Sequence, residues 1–238
     1  MVLAKTSRPT LAATVARPRL FRRLDRARQR PVTWVWGPPG AGKTTLVASY
    51  LATRRLQALW YQMDDGDGDV ATFFYYLGQG APRRGRPLPL LTPEFRHRLD
   101  IFARRFFREL YARLKAPFTV VFDNYQEVPS NSPLHEVVRE ALAEIPAGGR
   151  VIFISRSAPP PAVARHRAQR MIEILDWPEL RFTPTEAAGL IRKLARGRWS
   201  RVGENGFSGR GAGQLGRRIR THGRRRRRAD RPRAPAGS

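Results

Sequence analysis

The octapeptide Gly37-Pro38-Pro39-Gly40-Ala41-Gly42-Lys43-Thr44 fills every fixed position of the phosphate-loop pattern G-x-x-x-x-G-K-[ST]. No other feature constrains the fold as strongly, because such a loop works only where a strand delivers the chain into it and a helix carries the chain away. Glycines let the backbone curl around an anion with successive N–H groups turned inward, and the helix N-terminus presents its positive dipole end to the same anion. Both neighbours are legible in the sequence. Val32 to Trp36 (VTWVW) is a short apolar, β-branched and aromatic run that stops at the glycine–proline turn, the pattern of a buried strand. Beyond Lys43, Leu46, Val47, Tyr50 and Leu51 recur at helical spacing and give that helix one apolar face.

The alternation continues along the chain. Strands are expected at Ala58 to Gln62, Phe118 to Phe122 (FTVVF), Arg150 to Ser155 (RVIFIS) and Met171 to Leu175. Between them, Val70 to Gly78 and the stretch from Pro93 to Leu114 have helical spacing, with Phe95, Leu99, Phe102, Phe106 and Leu110 on one stripe of the latter. Further helices are expected from about Pro133 to Ile145 and from Thr185 to Leu194. Residues 80–92, rich in Pro, Gly and Arg, read as a loop. The acidic run Asp64 to Asp69 reads as a solvated turn, since a calcium loop would need a Glu at its twelfth position. Strands apolar on both faces and alternating with helices predict an α/β fold: a doubly wound, mostly parallel sheet of a P-loop NTPase.

Composition narrows the setting. With 41% hydrophobic residues the chain can bury a core, and with no cysteine it has neither disulfides nor thiolate metal sites. No apolar run reaches the roughly 18 residues that span a bilayer, so a cytoplasmic protein with no membrane association is expected. The net charge of +26 invites a nucleic-acid reading, yet the last 43 residues alone hold 14 basic and 2 acidic side chains. Arginine outnumbers lysine 41 to 4, a bias that GC-rich coding produces without selection for binding.

The candidate site follows from the loop. Gly37, Pro38, Pro39, Gly40, Ala41, Gly42, Lys43, Thr44 and Thr45 form the expected nucleotide-binding set. Lys43 reaches the β- and γ-phosphates, and the Thr44 hydroxyl coordinates Mg²⁺. Thr45 adds a hydroxyl better suited to packing or capping than to catalysis. A second Mg²⁺-holding group is expected at the end of a neighbouring strand, and Asp123 closes the most apolar run in the chain. Asn124 follows where a second acid would orient water, and an amide accepts no proton, which argues against efficient hydrolysis. At the end of the next strand Arg156 is a candidate catalytic group, able to report triphosphate against diphosphate, or else a solvated loop arginine.

Taken in order, several segments resemble the ATPase domain of the MalT-like signal-transduction ATPases with numerous domains (STAND), AAA+-related regulators that usually end in a LuxR-type helix-turn-helix. The segments are Arg17-Pro18-Arg19-Leu20, GPPGAGKTTL, Trp60-Tyr61-Gln62-Met63-Asp64, VVFDNYQEV, Ile154-Ser155-Arg156 with Pro159 to Pro161, and Leu180-Arg181-Phe182-Thr183 with Glu186-Ala187. The resemblance covers about residues 9–195. It implies adenine nucleotide (ATP or ADP) with Mg²⁺, slow turnover, a regulatory role, and self-association in the ATP state. The family pattern often reads Asp-Asp-Tyr-His where this chain has Asp123-Asn124-Tyr125-Gln126, and the family's winged-helix, sensor-repeat and DNA-binding parts have no counterpart here.

The expected organisation is a lead-in at 1–24, a P-loop domain at 25–180, the start of a truncated helical or winged-helix domain at 181–195, and a basic Arg/Gly-rich tail at 196–238. That tail reads as disordered or as translated out of frame. One permitted codon choice for Gly213 to Gly223, shifted by one base, gives GNWAAGFVLM, close to a segment found downstream in MalT-like proteins. The expected function is an ATP-binding, weakly hydrolysing nucleotide switch of a transcriptional regulator. A catalytically competent P-loop ATPase or kinase, and an ATP-gated nucleic-acid binder using the basic tail, stand as alternatives. DNA contact is expected only through the missing domains or through that tail.

Overall fold

A computed structural model of the chain describes residues 4–11, 16–95 and 97–192. These lie in the first of two compact units, Met1–Leu194. The tail expected at 196–238 falls outside the described residues, as do residues 193–195.

Five strands form one sheet in the order β2-β3-β4-β1-β5: β1 Val32–Trp36, β2 Ala58–Gln62, β3 Phe118–Asp123, β4 Gly149–Ser155 and β5 Ile172–Leu175. All four pairings are parallel, as the two-sided apolar runs predict. Alternation along each strand sends side chains to two cores. Val32, Trp34, Leu59, Tyr61, Val120, Phe122, Val151 and Phe153 face one layer. Val35, Trp60, Val121, Ile152 and Ile154 face the other.

The first layer consists of α3 (Val70–Gly80), α4 (Leu99–Leu114) and α5 (Leu134–Ala143). Its centre is aromatic: Phe74 lies 4.8 Å from Phe102 and 4.7 Å from Phe106, ring centre to ring centre. The opposite layer holds α1 (Pro18–Ala27) and α2 (Lys43–Thr53), and the four apolar positions read from the sequence of α2 are all buried in it. Leu20, Phe21 and Leu24 of α1 are buried there too, so part of the segment read as a lead-in packs in the core.

Two local expectations are corrected. The helix read from Pro93 is two pieces, a 3-10 turn at Pro93–Phe95 and α4 from Leu99. Phe95 nevertheless packs 5.3 Å from Phe102, so the apolar stripe survives the break. The acidic run is only partly solvated. Its core is a 3-10 turn, Asp65–Gly68, closed by a reciprocal capping box in which the Asp64 and Asp67 side chains each accept from the other end of the turn. Asp67 is fully buried, accepts from the Tyr61 hydroxyl at 2.7 Å, and pairs with Lys5 at 3.0 Å.

Candidate functional site

Strand order decides what meets at the C-terminal ends of the strands. With β4 inserted between β1 and β3, the loop after β1 opens beside the ends of β3 and β4, where crossovers leave opposite faces of the sheet and a crevice forms. The Gly37 N–H donates to the Ser155 carbonyl at the end of β4 (3.3 Å). A side chain on Gly37 would meet Leu180 Cδ1 at 3.4 Å and Trp177 at 3.5 Å, so the segment after β5 closes over the loop's first residue.

The loop itself has the backbone that the glycines allow. Gly40 and Gly42 both sit at φ +74°, a left-handed conformation that β-carbon crowding makes unfavourable for other residues. Gly42 is also the N-cap of α2 and supplies no side-chain acceptor, so the first N–H groups of the helix face outward unclaimed by a cap. Pro38, Pro39, Gly40 and Thr45 are exposed, whereas Ala41 and Lys43 are buried. This alignment of N–H groups and dipole is a receptor for an anion of phosphate size.

Lys43 curls back into the loop and donates to the Gly37 carbonyl at 2.7 Å and the Pro38 carbonyl at 2.9 Å. These contacts use two of its three N–H bonds. Burial lowers its pKa and the nearby charge of Arg156 lowers it further, while Asp123 acts in the opposite sense. Thr44 Oγ1 donates to Asp123 Oδ1 at 3.0 Å across 79 positions of sequence. Asp123 is almost fully buried and also accepts from the Asn124 N–H at 3.0 Å. Burial raises its pKa despite those two hydrogen bonds and the charge of Lys43.

The donor set suits Mg²⁺. Thr44 and Asp123 offer hard oxygens 3.0 Å apart. Among the described residues no group of three or more His, Cys, Asp or Glu could hold a metal ion. The remaining ligands of a cation here would therefore come from nucleotide phosphates and water, the usual habit of Mg²⁺.

Arg156 lies on the same side, close enough for its charge to act on Lys43. Its side chain is 55% exposed and its guanidinium is 3.9 Å from Glu127. Its backbone N–H donates to the Gln126 side chain at 2.9 Å. Asn124 adopts φ 62°, which turns the chain sharply after Asp123. Behind this turn, Trp34 Nε1 donates to the Ser157 carbonyl at 3.0 Å, and the Tyr125 hydroxyl donates to His135 Nδ1 at 2.8 Å, which fixes the two strand-end loops.

One pairing could not be read from the sequence, although the segments on both sides of it belong to the resemblance. Arg17, buried ahead of α1, donates to the carbonyls of Leu180 (2.7 Å) and Arg181 (2.9 Å) and to Glu186 (3.1 Å), and lies 4.2 Å from the Phe182 ring. Arg23 of α1 ties in Glu173 and Glu179 at 2.7 and 2.8 Å. Together they clamp the segment that covers Gly37. Arg17 and Glu186 are 169 positions apart, so periodicity cannot pair them.

No family model matches the chain. Among curated proteins it is similar to the HTH-type transcriptional regulator MalT of Serratia proteamaculans, 30% identical over 193 residues, or 79% of this chain and 21% of that protein. MalT of Cronobacter sakazakii is 27% identical over 194 residues, with the same coverage of each chain. The chain spans about a fifth of the length of these relatives. Among solved structures it is similar to the Signal Transduction ATPase with Numerous Domains (STAND) protein with a tetratricopeptide repeat sensor from Pyrococcus horikoshii. The TM-score is 0.52 at 18% identity, covering 84% of this chain and 28% of that one. Motif order, the likeness in sequence to MalT and the parallel sheet shared with the STAND protein agree, and the chain is similar to the corresponding part of MalT and has a P-loop-type α/β fold.

Proposed function

We propose that this domain binds ATP or ADP with Mg²⁺ and acts as the nucleotide-dependent switch of a transcriptional regulator. The observation that carries this reading is the convergence at one strand end of an open helix N-terminus, the Lys43 ammonium and the Thr44–Asp123 oxygen pair. The loop N–H groups and Lys43 hold the β- and γ-phosphates, and Thr44 and Asp123 hold Mg²⁺, which when bound offsets phosphate charge. Arg156, whose side chain is exposed beside the loop, tells triphosphate from diphosphate. Hydrolysis is slow, because the residue after Asp123 is an amide and accepts no proton from water. A regulatory role is supported by the likeness to MalT, an HTH-type transcriptional regulator, and the reading extends to self-association in the ATP state and a cytoplasmic setting. No described helix is long and apolar enough to cross a membrane.

Calorimetry with ATP and ADP in the presence of Mg²⁺, on the wild type and Lys43→Ala, tests the reading. Binding by the wild type that weakens at least about 100-fold in the variant, with folding unchanged by circular dichroism, is the expected result. Equal binding by both proteins would overturn it.

A further inference from the structure

The end of the sheet opposite the phosphate loop carries a second charged feature. Because the strands are parallel and in register, the turns that enter them all lie at one end. Arg55 precedes β2, Lys115 precedes β3, Arg150 opens β4, Arg30 precedes β1 and Arg170 precedes β5. In sheet order this is one cation per strand. Neighbouring strands are about 4.8 Å apart, so the row extends roughly 19 Å.

Arg30, Arg55, Lys115 and Arg170 are exposed, and among the described residues none of the four forms an ion pair. Asp25 near the end of α1, Glu144 at the end of α5 and Glu173 in β5 are already engaged by Arg54, Arg108 and Arg23. The Arg150 guanidinium donates to the Arg28 carbonyl at 2.8 Å, which fixes it at the middle of the row and brings Arg28 beside it.

Backbone conformation supplies an independent observation. Four described residues other than glycine have positive φ, and three of them are Arg55 (52°), Lys115 (52°) and Arg170 (57°). Each follows a helix at the position where the chain reverses, a place normally given to glycine or asparagine because a β-carbon is crowded there. The corresponding turn before β4 does use glycine: Gly148 is at φ 83°, and a β-carbon there would meet Ala116 at 3.1 Å. The fold thus tolerates strain at three turns in order to present long cations, and unfavourable backbone retained in a cluster points to use.

We propose that this end of the sheet binds the phosphate backbone of duplex nucleic acid. The cations stand at the entrances of five adjacent strands, at levels that differ by a few residues along the strands, and are mainly guanidinium groups, whose planar fork matches phosphate oxygens. None of the exposed large apolar side chains belongs to these turns, so the face lacks the wedges that anchor a protein in a membrane surface. Contact is to backbone charge and carries no sequence preference. It is separate from the phosphate loop, at the other end of the strands.

The test uses the full chain and a fluorescein-labelled duplex of arbitrary sequence, with anisotropy read over a range of KCl concentrations. Two variants are compared with the wild type. In one, Arg30, Arg55, Lys115 and Arg170 are all changed to Gln; in the other, Arg55, Lys115 and Arg170 become Gly, which relieves the backbone while removing the charge. A third protein with Arg224 to Arg228 changed to Gln accounts for the basic tail. The four-residue variant is expected to lower the slope of log affinity against log salt by about 3 to 4, and the glycine variant by about 3. The glycine variant should melt no lower than the wild type, and both losses should persist in the background of the tail changes. Wild-type affinity and slope in both face variants would overturn the proposal and assign binding to the tail. So would tighter binding to anionic vesicles or to polyglutamate than to the duplex at equal salt.

Discussion

At Asp123 stability and chemistry oppose one another. Burial raises its pKa, so the native state holds that proton more tightly than the unfolded chain does. The stabilising effect is therefore full below the unfolded pKa and is lost as pH rises through the folded value, because the ionised carboxylate is the form that burial disfavours. Asp123→Asn removes that charge while keeping an oxygen for Thr44. The ligand-free variant is expected to melt above the wild type at pH 7.5, with each kcal/mol gained appearing as about 2–4 °C. Its nucleotide affinity should cease to depend on Mg²⁺. Differential scanning fluorimetry and Mg²⁺ titration read the two effects separately, and a fall in melting temperature would contradict the assignment of the charge as a burden. Lys43 shows the same tension, being held by two carbonyls that a phosphate must outcompete.

Among the elements, the segment after β5 depends on α1 more than on its own length. The helix Trp177–Leu180 is a single turn, too short to be stable alone, and the chain beyond it enters helical backbone at 184–192 through a capping box between Thr183 and Glu186. Arg17 joins both pieces. Arg17→Ala leaves Glu186 and two carbonyls short of a donor and is expected to destabilise the domain by roughly 2–4 kcal/mol. Hydrogen exchange should rise first over residues 177–192, and a uniform rise across the sheet would argue against a local clamp. The turn behind Asp123 has a pH dependence of its own. His135 accepts from Tyr125 and donates to the Pro129 carbonyl at 3.0 Å, which requires the neutral ring, and burial lowers its pKa. His166 is lowered chiefly by burial as well. For a histidine lowered on folding, stability is present above the unfolded value and lost as pH falls toward the folded one. Melting temperature should thus drop between about pH 7 and pH 5, and His135→Gln should make the drop shallower.

For the molecule as a whole, both ends of the strands carry cations, but in different settings. At the loop end Lys5 is paired with Asp67, Lys43 donates to loop carbonyls and Arg156 lies 3.9 Å from Glu127, whereas Arg30, Arg55, Lys115 and Arg170 at the opposite end form no ion pair among the described residues. Nucleotide binding at the first end should stabilise the entire two-layered domain, since a ligand that binds only the folded state adds about 2.7 kcal/mol at 100 times its Kd. MgATP or MgADP at such excess is therefore expected to raise the melting temperature of the wild type by several degrees and to leave Lys43→Ala unmoved. A comparable shift in that variant would place the ligand somewhere other than the phosphate loop. Much of this architecture was legible beforehand. Periodicity alone located the five strands and the buried face of α2, because apolar residues on both faces of a strand can only be covered by two layers. The phosphate loop was legible because its glycines and lysine are contiguous. The order β2-β3-β4-β1-β5 was not, since parallel strands carry no local mark of their neighbours, and that order is what brings Asp123 to Thr44 and Ser155 to Gly37. Asp67 read as solvated and proved buried, because its partners Tyr61 and Lys5 come from elsewhere in the chain. The clamp by Arg17 and the row of cations were invisible for the same reason: each joins residues from separate crossovers. Local sequence determined the elements and the loop chemistry, and tertiary structure decided every contact that depends on which strands lie side by side.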